Sequence, residues 1–340
     1  MKIVFLTSIL LLISFISFSQ LEGDAIFAQD QIVTIELDFP EDNFWSTLTT
    51  NYEDASYTWA NLTLTDMFGV QTFDSVGVRL KGNSSYNHPG NKKAFKIDFN
   101  KYISGQNYDG LKKLNFSNGF KDPSLIREKV FFDVSHAVGV PAPRTSFANV
   151  YMNGTFWGFY TVVEQIDDQF LDWAILDDDG NLFKAGDNFG GDDGAADLVY
   201  YGDDQSNYEN RYELKSNEDE NDWSDLINFI DFINNSSDEQ FEAEIAGRIE
   251  LDEFLGSLAL DNLFSNLDSY EGSARNYYIY HNLTSGKWEW IKWDGNEAFG
   301  SYTNGQQNVV ELDVDYVNAS RPLIERVFDN PNLYQQYLTK

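Results

Sequence analysis

Three polar residues in the second half of the sequence, Asp268, Asn276 and Asp294, carry side chains suited to metal-assisted phosphoryl chemistry. Asp268 follows a stretch with helical spacing, and Asn276 opens the strand-like run "NYYIYHN". Asp294 ends a second run, "KWEWIKW", in an Asp-Gly turn. If the two runs form a hairpin, all three groups converge at one of its ends. Two carboxylates and an amide are hard oxygen donors, which suit magnesium and a phosphate chain. Kinases use the same parts: a catalytic-loop Asp near the acceptor hydroxyl, an Asn on the metal, and an Asp-Gly turn on the metal site. Here Asn276 follows Asp268 by eight residues, against about five in the ordinary kinase loop. The structural alternative for Asp294 is a turn-capping carboxylate.

The first half supplies candidate partners in matching order. A polar loop, "GNSSYNHPGNK", leads into "KKAFKIDF", where Ala94 and Lys96 share a strand face as in the Ala-x-Lys of kinase strands. The next helical run carries Glu128, a possible acidic partner for that lysine. Further on, "VVEQID", with Glu164, is placed to connect two lobes and to offer backbone groups to an adenine. Each piece alone also reads blandly, since strand lysines are usually solvated, Glu128 sits beside Arg127 and Lys129, and "GNSS" is a common turn.

The elements that must position these groups follow from periodicity. "QIVTIELDF", "YTWANLTLTD" and "SVGVRLKG" alternate as strands, and "PEDNFWSTLTTNY" reads as a short helix. "LKKLNFSN" is strand-like, and "DPSLIREKVFFDVSHAVG" has Pro in its first turn, apolar residues at helical spacing and Gly at its end. "RTSFANVYM" and "TFWGFYTVVEQ" form a hairpin across Asn153-Gly154. Beyond Ile166, "DDQFLDWAI" is helical, and an acidic, Gly-rich excursion reaches Lys215. Helices are expected at Trp223 to Ile233 and Leu251 to Ser265, the hairpin follows, and "RPLIERVFDNPNLYQQYL" closes the chain as helix. The order predicts an α+β protein with a β-rich part over 21–165, a mainly helical part over 166–340 and a cleft between them.

Composition narrows the function. Residues 1–20 have the layout of a secretory leader, one Lys before a long apolar stretch that closes in small and polar residues, and no later run is apolar enough to span a membrane. A formal charge of −32 argues against nucleic acid and anionic membranes as partners. With no cysteine there are no disulfides or thiolate metal sites, and the three histidines, His88, His136 and His281, lack ligand spacing for zinc.

Taken jointly, these blocks resemble the spore coat protein H (CotH) kinase-like family. The resemblance is carried by "VGVRLKGNSSYNHPGNKKAFKIDF", "SLIREKV", "VYMNGTFWGFYTVVEQIDDQFL", "GNLFKAG", "NLDSYEGSARNYYIYHN" and "KWEWIKWDGNEAFG". It implies an atypical protein-kinase-like two-lobed fold, with ATP and Mg2+ or Mn2+ used to phosphorylate secreted or surface proteins. It also implies Asp268 as the catalytic carboxylate, Asn276 and Asp294 on the metal side, and Lys93 as the phosphate lysine. Lys93 and Lys96 point to opposite strand faces, and the resemblance favours Lys93. Where the family commonly has a second acidic residue two after the Asp, this chain has Asn296. Two other readings stand beside the kinase: a non-catalytic surface binding module of the same fold, and calcium-dependent adhesion through "DDDGN" and "GGDDG". The acidic stretch 187–204 is expected to be a solvated insertion, or a Ca2+-ordered loop over the cleft.

Overall fold

The computed structural model describes residues 21–28, 31–186 and 194–340; the expected leader and part of the acidic excursion lie outside them. The alternating runs of the first half form seven strands: β1 (Ile32–Asp38), β2 (Thr58–Asp66), β3 (Gly69–Leu80), β4 (Phe95–Asp98), β5 (Lys113–Ser117), β6 (Thr145–Met152) and β7 (Thr155–Glu164). They close into a barrel in the order β1-β2-β3-β4-β5-β7-β6. Every neighbouring pair is antiparallel except the closing one, where β1 runs parallel to β6 with Ile32 opposite Phe147. Inward positions such as Val33, Ile35, Leu62, Val78, Ile97 and Leu114 are buried. Phe95 stacks on Phe116 at 4.4 Å. The barrel interior is thus a packed core, and the outward face of β3 to β5 is left to carry polar side chains.

The second half is built on a four-stranded antiparallel sheet, β8 (Leu182–Ala185), β9 (Tyr212–Leu214), β10 (Tyr277–Asn282) and β11 (Lys287–Lys292), in the order β11-β10-β8-β9. The expected hairpin is its β10–β11 pair, with Tyr277 opposite Lys292. The free edge of β11 is covered: Trp288 exchanges backbone hydrogen bonds with Arg248 and Glu250, and Lys292 N donates to Pro141 O. Both faces of β11 are buried as well, Trp288 and Trp290 on one and Ile291 on the other. The Ser224–Asn235 and Leu251–Leu263 helices pack on the sheet through Phe229 against Trp288 and Phe254 against Trp290.

The architecture corrects the expected protein-kinase-like two-lobed fold with a mainly helical second part. The first half is a closed seven-stranded barrel, and the second is organised around a sheet. Two physical reasons account for the difference. Barrel closure rests on a parallel pairing between strands far apart in sequence, which alternation does not reveal. β8 and β9 are four and three residues long, too short to show a period inside the acidic excursion.

Candidate functional site

The segment after the Leu251–Leu263 helix folds back on itself around Asp268. The Asp268 carboxylate accepts from Ser273 Oγ at 2.8 Å and Asn276 Nδ2 at 3.0 Å, and its carbonyl accepts from the same Nδ2 at 2.7 Å. Asn276 has φ 60°, a left-handed conformation that Asn tolerates better than most residues. From behind, Arg321 donates to the carbonyls of Tyr270 at 2.5 Å and Gly272 at 2.7 Å. The loop is therefore fixed by its own polar groups before any ligand arrives. Burial raises the Asp268 carboxyl above its ordinary range.

At the end of β11 the chain turns through Asp294, also left-handed at φ 53° and ψ 61°. Gly295 follows, packed so closely on the Arg127–Ala137 helix that a Cβ would overlap the Phe131 ring. This contact ties the Asp294 turn to the helix carrying Glu128. The start of that helix is set by Asp122, whose carboxylate accepts from the backbone of Ser124 at 3.0 Å and of Arg127 at 2.9 Å.

Lys81 completes this group. It directly follows β3, and its Nζ donates to Asn115 Oδ1 at 3.2 Å while lying 5.2 Å from the Trp293 ring centroid. Burial brings the Lys81 ammonium down to about 8, against the opposing pull of Asp294 and Glu128. Burial and the Asp294 carboxylate push Glu128 up to about 8. Sequence reasoning passed over Lys81, although its signal was present. In "VGVRLKG" Val78 and Leu80 point into the barrel, so Arg79 and Lys81 must share the outer face.

Asp268, Asn276, Asp294, Lys81 and Lys96 line one cavity of about 850 Å³ between the barrel wall and the β10–β11 end of the sheet. Lys96 Nζ donates to Gln165 Oε1 at 2.6 Å. Lys93 does not line the cavity. It precedes β4, and its Nζ donates to the carbonyls of Tyr86 and His88, stapling the polar loop. Glu164 is also outside, buried against Arg144 at 2.5 Å and Trp173 Nε1 at 3.0 Å; its neighbours Gln165, Ile166 and Asp167 line the cavity instead. The polar loop fronts the cavity through Gly82, Asn83, Ser84 and Ser85, held by Tyr52, which stacks on Tyr86 and donates to Gly82 O at 2.5 Å.

Charge is distributed unevenly. The chain has 23 Lys and Arg against 55 Asp and Glu. Yet the barrel contributes Arg79, Lys81, Lys96 and Lys113 to the cavity and the remaining wall adds Lys121, Lys184, Lys215 and Arg275, so its eight cations match the seven carboxylates that line it. Lys121 pairs with Glu297 at 2.8 Å. In so acidic a chain, a cavity near charge balance is the place most open to an anionic ligand.

The donor set also fits a magnesium-type cation. Asp294 is a carboxylate at the cavity wall, and Asn276, whose amide nitrogen is turned to Asp268, has its carbonyl oxygen to offer. One carboxylate and one amide suffice for Mg2+ where phosphate and water complete the shell. Among the described residues no group of three or more His, Asp or Glu is arranged to hold a metal alone. Of the "DDDGN" stretch, Asp177 accepts from Thr284 Oγ1 at 2.6 Å and from the Tyr280 hydroxyl; most of "GGDDG" lies outside the described residues.

Residues 78–340 match a family model described as CotH kinase protein. Inner spore coat protein H of Bacillus subtilis (strain 168) is 29% identical over 248 residues, covering 72% of this chain and 65% of that protein. Invasin CotH2 of Rhizopus delemar is 23% identical over 235 residues, covering 65% of this chain and 39% of that protein. The chain therefore spans less than two thirds of the length of either relative. The family match begins within β3, so β1, β2 and Tyr52 precede it. With its cavity residues inside the matched region apart from Tyr52 and Glu53, the chain belongs to the CotH kinase protein family.

Proposed function

We propose that this chain is an exported protein kinase that transfers the γ-phosphate of ATP to hydroxyl groups of secreted or surface proteins. The observation that carries this reading is the meeting of Asp268, Asn276 and Asp294 with Lys81 in one cavity whose cations match its carboxylates in an otherwise acidic molecule. In the transfer, the acceptor oxygen bonds to the γ-phosphorus as the bridging oxygen leaves with ADP. Asp268 takes the acceptor proton, aided by the burial that raises its basicity. Asn276 and Ser273 fix the orientation of that carboxylate. Lys81 pairs with a phosphate oxygen, while Lys121 and Arg275, whose charges act on Asp268, stabilise negative charge near the acceptor. A divalent cation held by Asp294 and Asn276 would neutralise the phosphate chain. The apolar leader and the names of the two relatives support an exterior location.

The test is thermal unfolding of the chain with ATP, with Mg2+ and with both, followed by incubation with labelled ATP and candidate surface proteins. Stabilisation by ATP with Mg2+ that clearly exceeds that by either alone, with label transferred to protein, is expected. Asp294→Asn keeps the turn and removes one charge, so transfer should fall by orders of magnitude while the fold persists. An undiminished rate would sink the assignment. Stabilisation without transfer to any acceptor would favour a non-catalytic binding module of the same fold.

A further inference from the structure

The cations on the barrel wall are not placed as ordinary surface lysines. Arg79 on β3 stands directly opposite Lys96 on β4 in an antiparallel pair. Lys113 lies on β5 two residues before Asn115, which is opposite Lys96. Like charges facing each other across strands destabilise a sheet, and in a chain with more than twice as many acidic as basic residues an acidic partner would be easy to supply. The carboxylates near the group gather at Lys113: Asp98 stands opposite it in the β4–β5 pair, and Asp167 lies 3.8 Å from it, while Arg79 and Lys96 face each other. Lys96 is held by the neutral Gln165, and the Arg79 guanidinium lies over the Tyr57 ring at 5.5 Å. Burial, then the charges of Lys81, Arg79 and Lys113, hold the Lys96 ammonium well below its usual range. Lys81 differs, because Asp294 and Glu128 act on it with opposite charge. The cavity therefore has two cationic regions, one at Lys81 beside Asp294 and one where Arg79 and Lys96 face each other across β3 and β4.

We propose that Arg79, Lys96 and Lys113 form an oxyanion subsite on the β3–β4–β5 wall of the cavity, separate from the Asp294 end, which takes a phosphate group without a metal. The guanidinium fork and two ammonium groups suit tetrahedral phosphate oxygens. The occupant is either a phosphate of the bound nucleotide or that of a second phosphorylated molecule. The subsite shares its cavity with the nucleotide reading, but its metal independence lets it fail separately.

The experiment uses the whole chain in buffer with a chelator and constant ionic strength, titrated with inorganic phosphate and then pyrophosphate, with chloride as control. Unfolding temperature and calorimetric binding are read for wild type and Lys96→Met. Removing a crowded charge should raise the unfolding temperature of Lys96→Met above wild type without anion. Phosphate should stabilise wild type in a saturable way and bind Lys96→Met at least tenfold more weakly. Because the variant is expected to be the more stable protein, misfolding cannot imitate this result. No phosphate response in wild type beyond that of chloride, or unchanged phosphate affinity in Lys96→Met, overturns the proposal. Adenosine, AMP and ATP distinguish the sources. Weakened AMP and ATP with unchanged adenosine places the nucleotide's own phosphate there, while loss confined to free phosphate indicates a second molecule. If wild type binds phosphate but not ATP with Mg2+, the nucleotide reading fails and the subsite stands.

Discussion

The lysines show what single positions decide. "KKAFKIDF" reads as a strand from its first residue, which sets Lys93 and Lys96 on its two opposite faces as competitors. Strand pairing begins only at Phe95, which leaves Lys93 in the preceding loop with two backbone carbonyls for partners. Lys81, one residue beyond β3, donates to Asn115 and feels the charges of Asp294 and Glu128. We expect Lys81→Met to lower phosphoryl transfer by about 10²–10³ through loss of charge stabilisation. Lys93→Met should leave the transfer rate within a few fold and act on loop order. Steady-state rates of the two variants check the ranking, and equal losses would remove the distinction. That Asp268, Asn276 and Asp294 meet at one cavity was legible because their types and turn signals sit at element ends. Lys81 was less so because its importance lies in what faces it from other strands.

At the scale of elements, the Asp294 turn and the Arg127–Ala137 helix form one unit because Gly295 has no side chain. Gly295→Ala forces the Phe131 ring or the turn to move, at a cost of about 1–3 kcal/mol for overpacking. Denaturant unfolding should show that loss, together with weakened metal-dependent nucleotide binding, since Glu128 and Asp294 would separate. Wild-type stability would show that the ring yields freely. Local signals read this level well where they were strong. The Asn153-Gly154 turn joins β6 to β7, and the Leu251–Leu263 helix lies where periodicity put it. The closing helix is instead two, Pro322–Asp329 and Pro331–Tyr337. Asn330 caps the second by accepting from Asn332 N at 2.9 Å and Leu333 N at 3.0 Å. "DNPN" carried that break, with Pro at a first helical position.

The whole molecule responds to pH through carboxyls held protonated inside it. Glu253, on the Leu251–Leu263 helix, shares a hydrogen bond with Glu289 on β11, which also accepts from Asn282 Nδ2 at 2.9 Å. Burial, then the Glu289 charge, pushes Glu253 up to about 8 from its ordinary 4.5. The folded chain thus keeps a proton that the unfolded chain releases above about pH 4.5. Its stabilising effect is full below that pH and is lost as pH rises through 8. Glu253→Gln has no such proton, so its unfolding temperature should fall less between pH 5 and 8 than that of wild type. Parallel profiles would show that the two carboxyls are not coupled.

The closing pair of the barrel has a consequence for how the protein is made. β1 leaves the ribosome early, but the strand it pairs with in parallel, β6, follows only after β2 to β5. At about 5–20 residues per second, β1 waits several seconds with one edge unsatisfied. During that time the edge is a template for pairing with other chains. Barrel closure is therefore a late event in synthesis, and until β6 is made the β1 edge stays open to whatever covers it first.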